Sequence, residues 1–438
     1  SVMTVSLRRQ ISSIAFPAIV SNITTPLLAM IDFAIAGHFG SASYIGAIAI
    51  GSSMFNMLYW LFGFLRMGSS GITAQAYGAG NRTTTASHLY RALMVGIVVG
   101  LLITAVSVPI ADVMLRFMDA DPTTAPLARH YFLIAVTGAP ATLGTFALSG
   151  WFLGMQNSRM PMYMALLTNI VNIAASLLLV FGFGMSIKGI AIGSATAQWT
   201  GFLFGLATAF HHYRPRRPAA AELLAIAELK RFFSINADIF LRTLCLVAVT
   251  VWFTRAGTKQ GVDILAANAL LLQLFMFFSY FMDGFAFAGE ALAGKFEGRR
   301  DRKTLSLLIV RLTQIGAALA LSFSLVYLLL GKDILSLLTD DRHVLEVCAD
   351  YRLWSVAIPV AGTMAFVWDG ILIGLTRTKI MLISMLLSTI MFFVIYFSCS
   401  SSLGNHGLWL AFIIYLALRG LFEYIFYKLQ NQKTVNIY

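Results

Sequence analysis

Long apolar runs alternate with short polar breaks along the whole chain. They fall at residues 11–37, 45–76, 88–112, 129–155, 160–184 and 187–211, then at 233–257, 262–294, 304–330, 347–375, 379–402 and 406–428. An α-helix needs about 20 apolar residues to cross a bilayer, and most runs exceed that. Lipid cannot satisfy open backbone groups, and the runs are too long for barrel strands. The pattern predicts an all-α membrane protein with twelve transmembrane helices in two pseudo-symmetric six-helix bundles. The most polar stretch, 211–231, contains HHYRPRRP, with Pro215 and Pro218 among clustered arginines. It predicts an N-lobe over 1–211, a linker over 212–232 and a C-lobe over 233–438.

Composition strengthens this picture. The 438 residues are 58% hydrophobic and only 11% charged, where a soluble domain carries about 25%. The net charge of +12 would raise nucleic acid as a partner in a soluble protein. Its distribution argues otherwise. With the N-terminus inside, twenty Lys and Arg fall on that side, eight on the other, and Arg66, Arg242 and Arg419 lie within spans. This positive-inside bias predicts a multi-pass protein of the cell inner membrane with both termini cytoplasmic and no nucleic-acid partner. The first run is too long for a leader's apolar region and contains Asp32, so it reads as a retained span. Cys245, Cys348 and Cys399 are scattered without a CxxC, which predicts neither a disulfide framework nor a zinc site. No GxxxxGK[ST] sequence occurs, so ATP-driven pumping is not expected.

The two sets of runs are related. GWFLGMQNSR at 150–159 recurs as GILIGLTRTK at 370–379; both read G-x3-G-x4-[RK], offset by 220. The break at 78–81 resembles 294–299, offset by about 216. Each half holds an even number of spans, so the halves share one orientation. A pseudo-two-fold along the membrane normal follows, with a central cleft as the natural binding site.

Acids inside a membrane cost about 2.5–3.5 kcal/mol at its centre on insertion scales, so each calls for a reason. Six candidates are Asp32, Asp238, Asp283, Glu290, Asp369 and Glu423. Asp32 lies deep in the first span, with no basic residue in that span's interior. Ser21 and Thr25 share its helical face. Pro26 frees the carbonyl of Asn22 and predicts a kink. Desolvation penalises a charged carboxylate, which makes Asp32 a candidate proton-binding group; the alternative is a structural acid bonded to neighbouring helices. Asn169, Asn172 and Ser176 form a polar stripe on span five at i, i+3, i+7, and Ser194 and Gln198 repeat the idea on span six. They line a cavity or act as interhelical hydrogen-bond glue.

In the second half, Asp238 and Arg242 at i, i+4 are candidates to pair. Asp283 and Glu290 share a face of span eight, and Asp369 lies in span ten. Together they make a charge-neutralising network or a second cation site. Glu423, near the end of its span, reads as a snorkelling or capping acid. Span eight is rich in Phe and Met from Phe275 to Phe287, which suits adaptable ligand contact or simple lipid exposure. Gly68-Ser69-Ser70-Gly71 matches a motif of intramembrane serine proteases, but all seven histidines fall at span ends or loops. Enzymatic activity is therefore not expected.

SNITTPLLAMIDFAIAGHFG (21–40), LRMGSSGITAQAYGAGN (65–81), GWFLGMQNSR, NADIFLRTLCL (236–246), LAANALLLQ (265–273) and MDGFAFAGEALAGKFEGRRDR (282–302) together resemble the multidrug and toxic compound extrusion (MATE) family, in its DinF branch. The resemblance covers nearly the whole chain. It implies a V-shaped pair of bundles that works by alternating access and exports drugs, organic cations or amphiphiles against inward cation flow. It places the proton on Asp32, with Asn172 and Ser194 lining the same N-lobe cavity, and it links Pro26 to bending of the first helix. Some relatives carry Asp where this chain has Ser176, which weakens sodium binding in the N-lobe. Asp369 lies near a span-ten acid important in sodium-coupled relatives, so sodium stays open as the alternative to H⁺. No metal or other cofactor is expected, and the chain is expected to act as a monomer in the lipid bilayer. A charge crossing the membrane gains about 2.3 kcal/mol per 100 mV. One-for-one exchange of H⁺ for a monovalent cation moves no net charge and draws only on the pH gradient, about 1.4 kcal/mol per unit. A lipid-linked precursor flippase is the rival reading; it needs a cationic cavity for phosphate head groups.

Overall fold

The computed structural model describes residues 2–39 and 42–435. Among them are sixteen α-helices and no strand. The first half contains α1 (Val2–Phe39), α2 (Ala42–Leu61), α3 (Phe64–Gly78), α4 (Arg82–Ala105), α5 (Ser107–Phe117), α6 (Ala125–Ala135), α7 (Ala139–Gly154), α8 (Arg159–Leu177), α9 (Ser186–Thr208) and α10 (Ala220–Leu223). The second contains α11 (Ile226–Lys259), α12 (Val262–Gly298), α13 (Arg302–Leu338), α14 (Arg342–Gly374), α15 (Thr378–Leu403) and α16 (Asn405–Val435). Twelve helical stretches among the described residues are long and apolar enough to span a bilayer, as the sequence predicts. Their outer faces carry large apolar side chains that water would not favour, such as Leu329 and Phe397, 68% and 62% exposed. This is the surface of a protein solvated by lipid.

Several helices run past the apolar stretches, as α1 starts at Val2 and α13 ends at Leu338, and two further boundaries differ for identifiable reasons. Span three ends at Ala105 rather than near residue 112. Pro109 has no N–H for the carbonyl of Ala105 and its ring crowds that carbonyl, so the chain breaks at Val106 and restarts as the short helix α5. Span seven starts at Ile226 rather than 233. Pro215 and Pro218 hold the preceding chain extended only as far as Ala219; beyond it, alanine, leucine, glutamate and lysine favour helix.

The chain packs as two compact units, one of Phe16–Asn236 and the other of Ala237–Tyr438 with Ser1–Ala15. In the first, Ile35, Ile48, Tyr131 and Ile190 form part of a buried apolar cluster. In the second, Phe253 stacks edge-on against Trp409 at 5.0 Å within a larger aromatic core. Span eight's aromatics divide: Phe275 packs against that core and Phe278 is fully buried, meeting Phe323 and Phe366 edge-on, while Phe277 is 61% exposed.

The internal repeat has a backbone cause. A Cβ on Gly150 would strike the carbonyl oxygen of Arg66, and one on Gly370 would strike that of Ala286. Gly154 and Gly374 likewise lie against the carbonyls of Ser70 and Glu290. Glycine at both places lets α7 touch α3, and α14 touch α12, backbone to backbone. The breaks repeat as well. Asn81 accepts from the Thr84 amide and Asp301 from the Thr304 amide, each at 3.1 Å, capping α4 and α13. Asp301 is half-buried, and the Thr304 hydroxyl and amide hold its carboxyl below the usual carboxylate range.

Candidate functional site

α1 runs unbroken through Pro17 and Pro26. Hydroxyls fill in near the prolines: Ser21 donates to the Pro17 carbonyl at 3.2 Å and Thr24 to the Ser21 carbonyl at 2.7 Å. A turn and a half beyond Pro26, Asp32 is buried, 4% exposed. Its carboxylate accepts a hydrogen bond from the Asn172 amide of α8 at 3.1 Å. One turn earlier on α8, Asn169 donates to the Thr24 carbonyl at 3.3 Å. Two amides on consecutive turns thus stitch α8 to α1 on either side of the half-buried Pro26, with the half-buried Asn22 just before the first contact. The inward face of α1 is set by Thr24 and Asp32, not by the expected Ser21 and Thr25: Thr25 is exposed and Ser21 half-buried.

Ser176 continues the α8 stripe into a tight seam with α9. A Cβ on Gly193 would overlap its hydroxyl. Ser194, beside that glycine, is buried at 8% exposure. Gln198 lies over Gly138, where a Cβ would strike its amide oxygen. The Asn172 amide oxygen, Ser176 hydroxyl and Gln198 amide oxygen have no protein hydrogen-bond partner. Buried polar atoms are normally satisfied, so these three mark polar capacity along α8 and α9, reaching Asp32 through Asn172. The Tyr131 ring packs against Gly51 of α2.

The second unit arranges its charges differently from the sequence reading. Asp238 and Arg242 do not pair. Asp238 accepts from the Thr378 hydroxyl at 2.8 Å and from Lys379 at 3.3 Å, at the start of α15. Arg242, one turn along α11, turns to Asp369 on α14. Arg419 of α16 reaches the same Asp369 oxygen at 2.9 Å. An i, i+4 pair within α11 would leave Asp369 buried against Arg419 alone; joining helices satisfies more charge. Glu423 is also corrected: it is 2% exposed and lies beside Asp369 and Arg419 rather than snorkelling. Arg419 and Glu423, at i, i+4, were the signal available in the sequence. Glu290 is buried and Asp283 half-buried on α12. Among the described residues no cluster of three or more His, Cys, Asp or Glu could hold a metal ion. Ser70, the serine of the protease-like motif, donates to the Met67 carbonyl within its own helix at 3.0 Å.

A repeated, all-helical, twelve-span body with one buried acid among amides in one unit and a clamped acid in the other defines a polytopic membrane transporter. Comparison with known proteins gives the family. Residues 17–178 and 237–397 match the MatE family, and the chain belongs to it. It is 37% identical to DNA damage-inducible protein F of Escherichia coli (strain K12), over 93% of this chain and 89% of that one. The multidrug resistance protein MdtK of Edwardsiella ictaluri is 23% identical, over 93% and 92% of the two chains. Among solved structures, a MATE protein in the bent conformation superposes with a TM-score of 0.88 at 16% identity, covering 98% of this chain and 97% of that one. A MOP superfamily transporter from Pyrococcus furiosus, described as having a binding pocket of reversed polarity, superposes with a TM-score of 0.86 at 16% identity, covering 97% and 96%. The protein is thus a multi-pass membrane transporter of the multidrug efflux family rather than an enzyme.

Proposed function

We propose that this chain is a proton-coupled antiporter that exports organic cations or amphiphiles by alternating access, with Asp32 as the proton-binding residue. It works as a monomer in the cell inner membrane with both termini cytoplasmic. The observation that carries the reading is the difference between two buried acids. Asp32 has a neutral amide for its partner, so gaining or losing a proton there breaks no ion pair. Asp369 has two guanidiniums on one oxygen. A sodium ion brought to Asp369 would face both positive charges in a medium of low dielectric, which disfavours it. The coupling site therefore belongs in the first unit, and Asn169, Asn172, Ser176, Ser194 and Gln198 supply polar surface beside it.

The test is efflux of a fluorescent organic cation from proteoliposomes under a pH gradient, with and without sodium. Wild type is expected to export on the pH gradient alone and Asp32→Asn to lose that export. Export that requires sodium, or that survives in Asp32→Asn, moves coupling to the second unit. The flippase reading is disfavoured by the same geometry. It requires cations available to an anionic head group, whereas Arg242 and Arg419 are both engaged by Asp369.

A further inference from the structure

α1 and α11 share an unusual property: each begins in one compact unit and ends in the other. α1 changes unit between Ala15 and Phe16, and α11 between Asn236 and Ala237, 221 positions later. The segments before these two points are copies of each other. In 10–15 the second, fifth and sixth residues (Ile11, Ile14 and Ala15) are buried while Ser12 and Ser13 are exposed. In 231–236 the same places, Phe232, Ile235 and Asn236, are buried while Phe233 and Ser234 are exposed.

At the first residue of each copy a side-chain hydrogen bond reaches a different helix. Lys295 of α12 donates to the Gln10 amide oxygen at 2.8 Å. Arg231 donates to the Gln75 amide oxygen of α3 at 2.8 Å. Gln10 corresponds to Arg231 at an offset of 221, and Gln75 to Lys295 at 220. Both bonds therefore join equivalent places in the two halves with donor and acceptor exchanged. In one the crossing helix offers the amide; in the other it offers the cation.

We infer that these two bonds are paired, releasable latches that hold the first turns of α1 and α11 in place in one state of the transport cycle and let go in another. The inference rests on the alternating-access reading above. A relative shift of the units has to be absorbed by the two helices that belong to both, and the chemistry of the bonds suits release. Each is a cation on a neutral amide, with Gln10, Gln75 and Lys295 half-buried and Arg231 exposed, so water can replace either partner at little cost. The buried Arg242, Arg419 and Asp369 cluster, by contrast, has no such exchange open to it.

The experiment uses the full chain with Cys245, Cys348 and Cys399 replaced by alanine and cysteines placed at 10 and 295, or at 75 and 231. A short bis-methanethiosulfonate reagent closes either pair and a reductant reopens it. Closing either latch is expected to lower cation efflux from proteoliposomes at least tenfold, and reduction to restore it; undiminished efflux with the pair fully closed overturns the inference. A second measurement does not depend on transport. Lys295→Met is expected to raise amide hydrogen exchange across 6–15, and Arg231→Met across 226–236, while exchange in α8 and α15 stays unchanged. Unaltered exchange at the helix starts overturns the latches. If wild type and the reopened variants move no cation, the transport reading fails and exchange alone decides the latches.

Discussion

The Asn172 amide donates to the Asp32 carboxylate across 140 positions of sequence, at 3.1 Å. Because the donor is neutral, the bond orients the acid without fixing its charge. Asn172→Leu is therefore expected to retain the fold and to alter the pH profile of cation efflux, while Asp32→Asn removes pH-driven efflux at least tenfold with little change in thermal stability. Efflux against pH, alongside melting in detergent, checks both; an unchanged profile in Asn172→Leu would sink the assigned pairing.

Asp369 should behave in the opposite way. Asp369→Asn leaves Arg242 and Arg419 buried without a carboxylate between them. Breaking one side of a buried ion cluster costs about 3–5 kcal/mol, so melting temperature and yield of folded protein are expected to fall sharply. A stable Asp369→Asn protein with altered sodium response would show that this acid serves coupling rather than structure.

Arg91 of α4 is almost wholly buried, 1% exposed. Its guanidinium donates to the carbonyls of Glu222 and Leu223 at 3.2–3.3 Å, at the end of α10. It thereby pins the segment that follows Pro218. Arg91→Ala is expected to speed limited proteolysis within 214–224, and Arg91→Lys to repair only part of the loss, since an ammonium cannot present two donors in one plane.

The glycine contacts predict a matched pair of failures. Gly150→Val and Gly370→Val put carbon where a carbonyl oxygen lies, and each is expected to cost about 1–3 kcal/mol or more. Gly37 meets nothing within 4 Å, so Gly37→Ala should be neutral or stabilising by about 1 kcal/mol through helix propensity. Melting of the three variants in detergent separates the cases.

Asp301 offers a test of pH dependence. The carboxyl is held below its usual range by Thr304, so its stabilising effect is present above the unfolded pKa, near 4, and is lost as pH falls through the folded value. Asp301→Asn is expected to match wild type at pH 7, because Asn81 caps the equivalent helix, and to lose less stability than wild type on acidification. Asp301→Ala should cost about 1 kcal/mol at pH 7. Melting at pH 7 and pH 3 distinguishes them.

Much of this was legible in the sequence because lipid imposes simple rules. Span number followed from run length, and the repeat from Gly150, Gly154, Gly370 and Gly374, which have a contact reason to recur. Helical spacing grouped Asn169, Asn172 and Ser176 on one face of span five, and the family resemblance put Asn172 in the cavity of Asp32, where the structure bonds the two. Partner choice in the second unit was not legible. Arg242 lies at the right spacing for Asp238, yet it bonds across three helices, and spacing within one helix carries no information about α14 and α16. The early end of span three was readable from Pro109, whereas hydropathy alone runs past it.

The contact between Lys295 and Gln10 also sets a schedule for assembly. Gln10 leaves the ribosome 285 residues before its partner. At about 5–20 residues per second, the first turns of α1 wait roughly 15–60 s, already next to lipid, for the end of α12 to be made. The N-terminal half is therefore not a finished module when its six spans are in the membrane, for its leading segment belongs to a unit not yet synthesised. Insertion of this protein completes backwards: the segment up to Ala15 is translated long before the rest of its unit and is among the last to find its place.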